Sequence, residues 1–129
     1  MDRSLTLTGV LVIGRDAPAL RAADGLVLLE DVSRLDAAAT RVAESRTASF
    51  SRPASHKGRR ETRVSFTLDV PESDLQRGPY ALRGRVDGLG GAGRQRLFSQ
   101  ERVPVEPRRL LPCYEVRLGD ARPLAGPSS

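Results

Sequence analysis

The run from Gly25 to Glu44, GLVLLEDVSRLDAAATRVAE, constrains the fold more than any other part of the chain. An apolar extended segment meets an acidic turn, and a second extended segment follows. Val27 and Leu29 fall on one strand face, because successive side chains of a strand point to opposite sides. Between Glu30 and Ala38, the side-chain oxygens of Asp31, Ser33 and Asp36 can bond nearby backbone amides and turn the chain. That is a β corner, and it fixes a structural class without fixing an activity.

The same pattern recurs along the sequence. Ser4 to Ile13 carries Leu5, Leu7, Leu11 and Ile13 at even spacing, with Gly9 as a bulge position. Residues 25–32 and 40–50 are the second and third strand segments, the latter mixed in pattern and so expected near an edge. Glu61 to Val70 alternates most cleanly, with Val64, Phe66, Leu68 and Val70 on one face and Arg63, Ser65, Thr67 and Asp69 on the other. Pro71 stops it, and residues 72–78 read as a connection containing one helical turn. Tyr80, Leu82, Gly84 and Val86 then alternate with Ala81, Arg83, Arg85 and Asp87. Residues 97–105 and 113–118 complete the set, with Pro104 and Pro107 keeping their neighbourhood at an edge.

This spacing predicts an all-β fold, a single immunoglobulin-like antiparallel β-sandwich of about seven strands. The domain is expected over residues 1–119, with a flexible tail over 120–129. A chain of 129 residues buries roughly two-thirds of its unfolded surface, so neither a disulfide nor a metal is needed to hold it. With aromatics at 4%, the core must come mainly from Val, Leu and Ala. Its inward positions are expected to include Val27, Leu29, Val64, Phe66, Leu68, Tyr80, Leu82 and Val86. Tyr80, after Leu75 and Gly78, has the spacing of a tyrosine corner, in which a phenol bonds upstream backbone.

The formal charge is +5 and the isoelectric point about 10.6, which raises the question of an anionic partner. All but one of the 21 basic residues are Arg, and Asn is absent, a composition that points to GC-rich coding as much as to phosphate contact. The densest basic stretch, Arg52, His56, Lys57, Arg59, Arg60 and Arg63, is the candidate anion-binding or nucleic-acid-binding loop. No aromatic residues interleave there to stack bases, so a solvated loop is the weightier reading and a nucleic-acid partner is not expected.

Catalytic and cofactor motifs fare poorly. His56 and Cys113 are the sole His and Cys, with no third group in sequence to orient a base. A lone Cys cannot form an internal disulfide. GLGGAG at 88–93 has the glycine spacing of a dinucleotide fingerprint but not its helix, since residues 94–99 look extended, and a hairpin explains it. The acidic turn lacks the glycine and closing Glu of a calcium loop. The expectation is therefore no enzyme, no metal and no cofactor. The opening segment, MDRSLTLTGVLVIG, is too short and too interrupted to span a bilayer or act as a secretory signal, which as written places the chain in the cytoplasm.

Four blocks taken together, LEDVSRLDAAATRVAE, VSFTLDVP, GPYALRGRV and LFSQERVPV, resemble the small bacterial β-sandwich lipoproteins grouped with the lipoprotein chaperone (YscW, or pilotin) of type III secretion, including the YbaY-type proteins. The resemblance covers about residues 5–118, and its most specific block is Leu29 to Ala37. It implies a non-enzymatic, chaperone-like protein-interaction module at the cell envelope. This chain departs from the family in having no signal peptide or anchoring Cys, in the longer stretch 47–62, and in placing Leu26 and Leu28 on a face that is more polar in relatives. Leu26 and Leu28 are therefore the candidate partner-binding residues, for a protein client or for a second copy in a homodimer.

Overall fold

The computed structural model describes residues 3–33, 39–53, 61–91 and 93–123. Among the described residues, nine strands form in chain order: β1 (Ser4–Ile13), β2 (Leu20–Asp31), β3 (Thr40–Arg46), β4 (Phe50–Arg52), β5 (Thr62–Pro71), β6 (Tyr80–Gly90), β7 (Gly93–Ser99), β8 (Val103–Val105) and β9 (Tyr114–Pro123). A single 3₁₀ turn, Glu72–Asp74, follows Pro71, where the sequence pattern places one.

The chain is all-β, and the strands join in one nine-stranded sheet of order β3-β2-β6-β7-β9-β1-β5. β4 pairs with β2 and β8 with β6 off this path. The two ends of the path come together: Ser45 Oγ of β3 donates to the Thr67 carbonyl of β5 at 2.7 Å. The sheet is thus nearly closed and barrel-like, with a side-chain bond where a ladder would complete the ring. This differs from the expected two-sheet sandwich of seven strands. The expected strand over 40–50 divides into β3 and β4, and that over 97–105 into β7 and β8. One pairing, β1 with β9, is parallel.

The alternation explains which side of each strand faces in. Leu7, Leu11, Val27, Leu29, Phe66, Leu68, Val70, Tyr80, Leu82 and Val86 join one buried cluster, and Val64 packs against it half-buried. The interior is narrow enough to need glycine: a Cβ at Gly25 would lie 2.5 Å and one at Gly84 2.6 Å from methyl groups of Leu11, reaching across from β1. Gly9 is not a bulge. It pairs in register with both Phe66 and Tyr114, and its missing side chain makes room for the Phe66 ring. The bulge lies instead in β2, where Ala22 has φ of 48° and the register to β6 shifts between Arg21 and Asp24.

Two loops form as the residue types dictate. Asp31 Oδ1 accepts the Ser33 amide at 2.9 Å, opening the acidic turn; Asp36 lies outside the described residues. Gly90 pairs with Gly93, so GLGGAG is a hairpin, and Gly93 has a φ of 115° that favours glycine. The tyrosine corner is present as well. Tyr80 Oη accepts the Arg77 amide at 2.8 Å, and Tyr114 Oη accepts the Leu111 amide at 3.1 Å in the same three-residue arrangement. β9 runs on through Pro123; the remainder of the expected tail, 124–129, lies outside the described residues.

Candidate functional site

Of the basic stretch, Arg52 and Arg63 lie among the described residues, and the two do not share one site. Arg52 is buried, at 5% exposure, and its guanidinium turns back into the protein. Nη2 donates to the carbonyls of Gly14 and Arg15, each at 3.0 Å, Nε reaches the Ala17 carbonyl at 3.4 Å, and Nη1 donates to Thr62 Oγ1 at 2.7 Å. A planar, multi-donor group suits this convergence of acceptors. Arg52 therefore ties the β1–β2 turn to β4 and β5 and is withdrawn from any anion site. Arg63 is exposed but engaged, 3.5 Å from Glu115 and 3.6 Å from Glu61. The two ends of the proposed set thus serve separate structural purposes. His56, Lys57, Arg59 and Arg60 lie outside the described residues.

Leu26 and Leu28 do point away from the core cluster, as alternation requires, yet they are only 3% and 7% exposed. The expectation of an exposed leucine pair is overturned. The register supplies the reason: Leu26 lies between Arg46 of β3 and Arg85 of β6, and Leu28 between Glu44 and Arg83. Long charged side chains lay their methylene stems over apolar neighbours while their heads stay in water. The outer surface of this face is its charged layer, and the leucines are the floor beneath it.

That layer continues across the outer side of β3, β2, β6, β7 and the end of β9. Directly opposed residues form rows: Leu26, Arg85 and Phe98; Asp24, Asp87 and Arg96, with Arg122 beyond; and Arg21, Leu89 and Arg94. Three of its carboxylates are taken up locally. Glu30 Oε2 accepts from Arg83 at 3.0 Å, Glu44 from Arg41 at 3.0 Å, and Asp87 receives Arg96 through two bonds, at 2.6 and 2.9 Å. The Arg96 bond holds the Asp87 carboxyl below its ordinary pKa against the opposing effect of burial, and the charges of Arg96, Arg85 and Arg94 add to it. Arg96 also lies over the Phe98 ring, 5.7 Å from its centroid. Arg21, Arg46, Arg85, Arg94 and Arg122 make no ion pair among the described residues, and Asp24 is the one carboxylate of these rows left without a partner. Phe98 and Leu89, 43% and 41% exposed, lie among them.

The opposite outer side, on β5, β1 and β9, has no such surplus. Glu61, Arg63, Glu115 and Arg117 form one network, with Arg117 3.1 Å from each of the two glutamates, and Asp69 accepts from Thr6 Oγ1 at 2.7 Å. The hydrogen bond from Arg117 lowers the Glu61 pKa.

Cys113 is exposed before β9, and His56 is outside the described residues. Among the described residues, no three of His, Cys, Asp and Glu are placed to hold a metal ion. No described helix is long and apolar enough to cross a membrane. Sequence reasoning missed the arginine-rich face because its members come from five strands far apart in the chain. The clue was present in the polar positions of the 79–87 strand, which are largely Arg.

No protein-family profile matches the sequence, and no curated protein matches it. Among solved structures, an alternative pilotin from the type II secretion system of Vibrio cholerae superposes with a TM-score of 0.64 at 20% sequence identity, over 96% of this chain and 100% of that one. The two share a fold along essentially their full lengths.

Proposed function

We propose that this chain is a non-enzymatic, chaperone-like protein-binding module of the pilotin type, allied to the YbaY and YscW proteins and working at the cell envelope. The observation that carries the reading is the shared fold with a secretion-system pilotin over 96% of the chain. Fold alone is a weak guide to activity, because one scaffold hosts many functions. The surface adds independent support: an outer sheet face rich in arginine with an exposed Phe has the composition of a protein interface, where Arg and aromatic residues are enriched.

The test is co-expression of the chain with each outer-membrane subunit of the secretion systems of its source organism, followed by light scattering of the purified material. A stoichiometric complex with one of them, and slower proteolysis of that subunit, is the expected outcome. Two independent monomers in every combination would refute the pilotin role.

A further inference from the structure

We propose that the outer face of β2, β6 and β7 binds an acidic, partly apolar segment of the client protein, its carboxylates taken by Arg21, Arg85 and Arg94 and its apolar side chains by Leu89 and Phe98. This rests on the protein-binding reading above and names the chemistry of the partner.

Charge complementarity selects the occupant. Among the described residues, the rows on this face hold four arginines without an ion pair, Arg21, Arg85, Arg94 and Arg122, against one unpaired aspartate, Asp24, whereas on the outer side of β5, β1 and the first half of β9 Glu61, Arg63, Asp69, Glu115 and Arg117 are each bonded. A GC-rich codon bias would enrich both faces alike, so composition does not produce this segregation. An arginine guanidinium takes a carboxylate through two parallel bonds, and the Arg96–Asp87 pair shows that geometry within the same face.

Neighbouring strands put the residues of one row about 4.8 Å apart, and successive rows lie about 6.8 Å apart along the strands. Arg21 and Arg94 flank Leu89 in one row, about 9.6 Å apart, and Arg85 stands two rows away, about 14 Å along the strands, a separation that an extended peptide spans with side chains four residues apart. Leu89 stands between Arg21 and Arg94 in register, and Phe98 beside Arg85, so apolar and cationic positions alternate across the face. A single exposed aromatic gives successive nucleotide bases little to stack on, which favours a peptide over a single strand of nucleic acid.

The test uses the full chain and a fluorescent peptide of Glu-Glu-Leu-Leu repeats, which in extended form carries both residue types on each face, read by anisotropy, beside oligothymidylate and phosphatidylglycerol vesicles as competitors. Arg21→Ser with Arg94→Ser removes two free arginines that do not flank the buried leucines, so the fold is expected to persist, checked by an unchanged melting temperature. Peptide affinity should fall about tenfold or more, the scale of 1.4 kcal/mol. The control, Arg63→Ser with Arg117→Ser on the other face, should leave it unchanged. Equal weakening by both pairs, or tighter binding of oligothymidylate or vesicles than of peptide, overturns the proposal. A client complex that forms as in the co-expression experiment but ignores Arg21→Ser with Arg94→Ser overturns this inference while leaving the pilotin role intact. Peptide binding that follows the variants, with no client complex in any co-expression, supports the face and refutes the role.

Discussion

The two outer sides of the barrel are built by the same alternation and finish differently. On β5, β1 and β9, acids and bases arrive at neighbouring positions, so Glu61, Arg63, Glu115 and Arg117 neutralise one another. On β3, β2, β6 and β7, arginines outnumber the acids within reach, and several make no ion pair among the described residues. Both sides nevertheless bury outward apolar groups beneath charged ones. Val12, between Arg63 and Arg117 in register, is 1% exposed, as Leu26 and Leu28 are nearly hidden opposite. A charged residue on a strand therefore has two separable effects, one through its stem and one through its head, and only the second differs between the faces.

The largest effect expected is one that both sides share. Phe66, in the common core against Gly9, should cost about 3–5 kcal/mol when cut to Ala, measured by denaturant unfolding. That value sets the scale for the outer layer. Leu28→Ala should then cost about 2–5 kcal/mol and Val12→Ala about 2 kcal/mol, because both act as buried residues despite pointing outward. A loss under about 0.5 kcal/mol for either would mean that its covering side chains leave it wet, and the likeness between the faces would fail there.

Acid should distinguish the arginine-rich face next. Asp87 has its folded pKa lowered chiefly by the bond from Arg96, so its contribution is present above the ordinary carboxylate pKa and is lost as pH falls through the lowered folded value. Asp87→Asn should cost about 1 kcal/mol at neutral pH and flatten the decline in stability below about pH 4. An unchanged acid limb, followed by circular dichroism, would show that this pair does not contribute to folding. The smallest change is reserved for the neutral face. Arg117→Ser breaks an exposed network and should leave the denaturation midpoint nearly unchanged, with any effect fading in high salt. A larger or salt-indifferent loss would make that network part of the structural core and not a surface ornament.

Alternation in the sequence was sufficient to determine that the chain is all-β, which side of each long strand faces inward, where the GLGGAG hairpin turns, and that Tyr80 pins its own corner, since each depends on residues close together in the chain. Tertiary structure decided the rest. Strand order decided that the sheet nearly closes on itself, because pairing β1 with β5 and β9 joins segments that no local pattern links. It also decided that Leu26 and Leu28 are covered, since burial of an outward side chain depends on what its cross-strand neighbours happen to be. Arg52, read as part of an anion site, became an anchor because the carbonyls it satisfies belong to a turn more than thirty residues earlier. The arginine-rich face has the same origin: charges scattered along the chain become a surface only when the order of strands brings them side by side, and a linear sequence carries no measure of that distance.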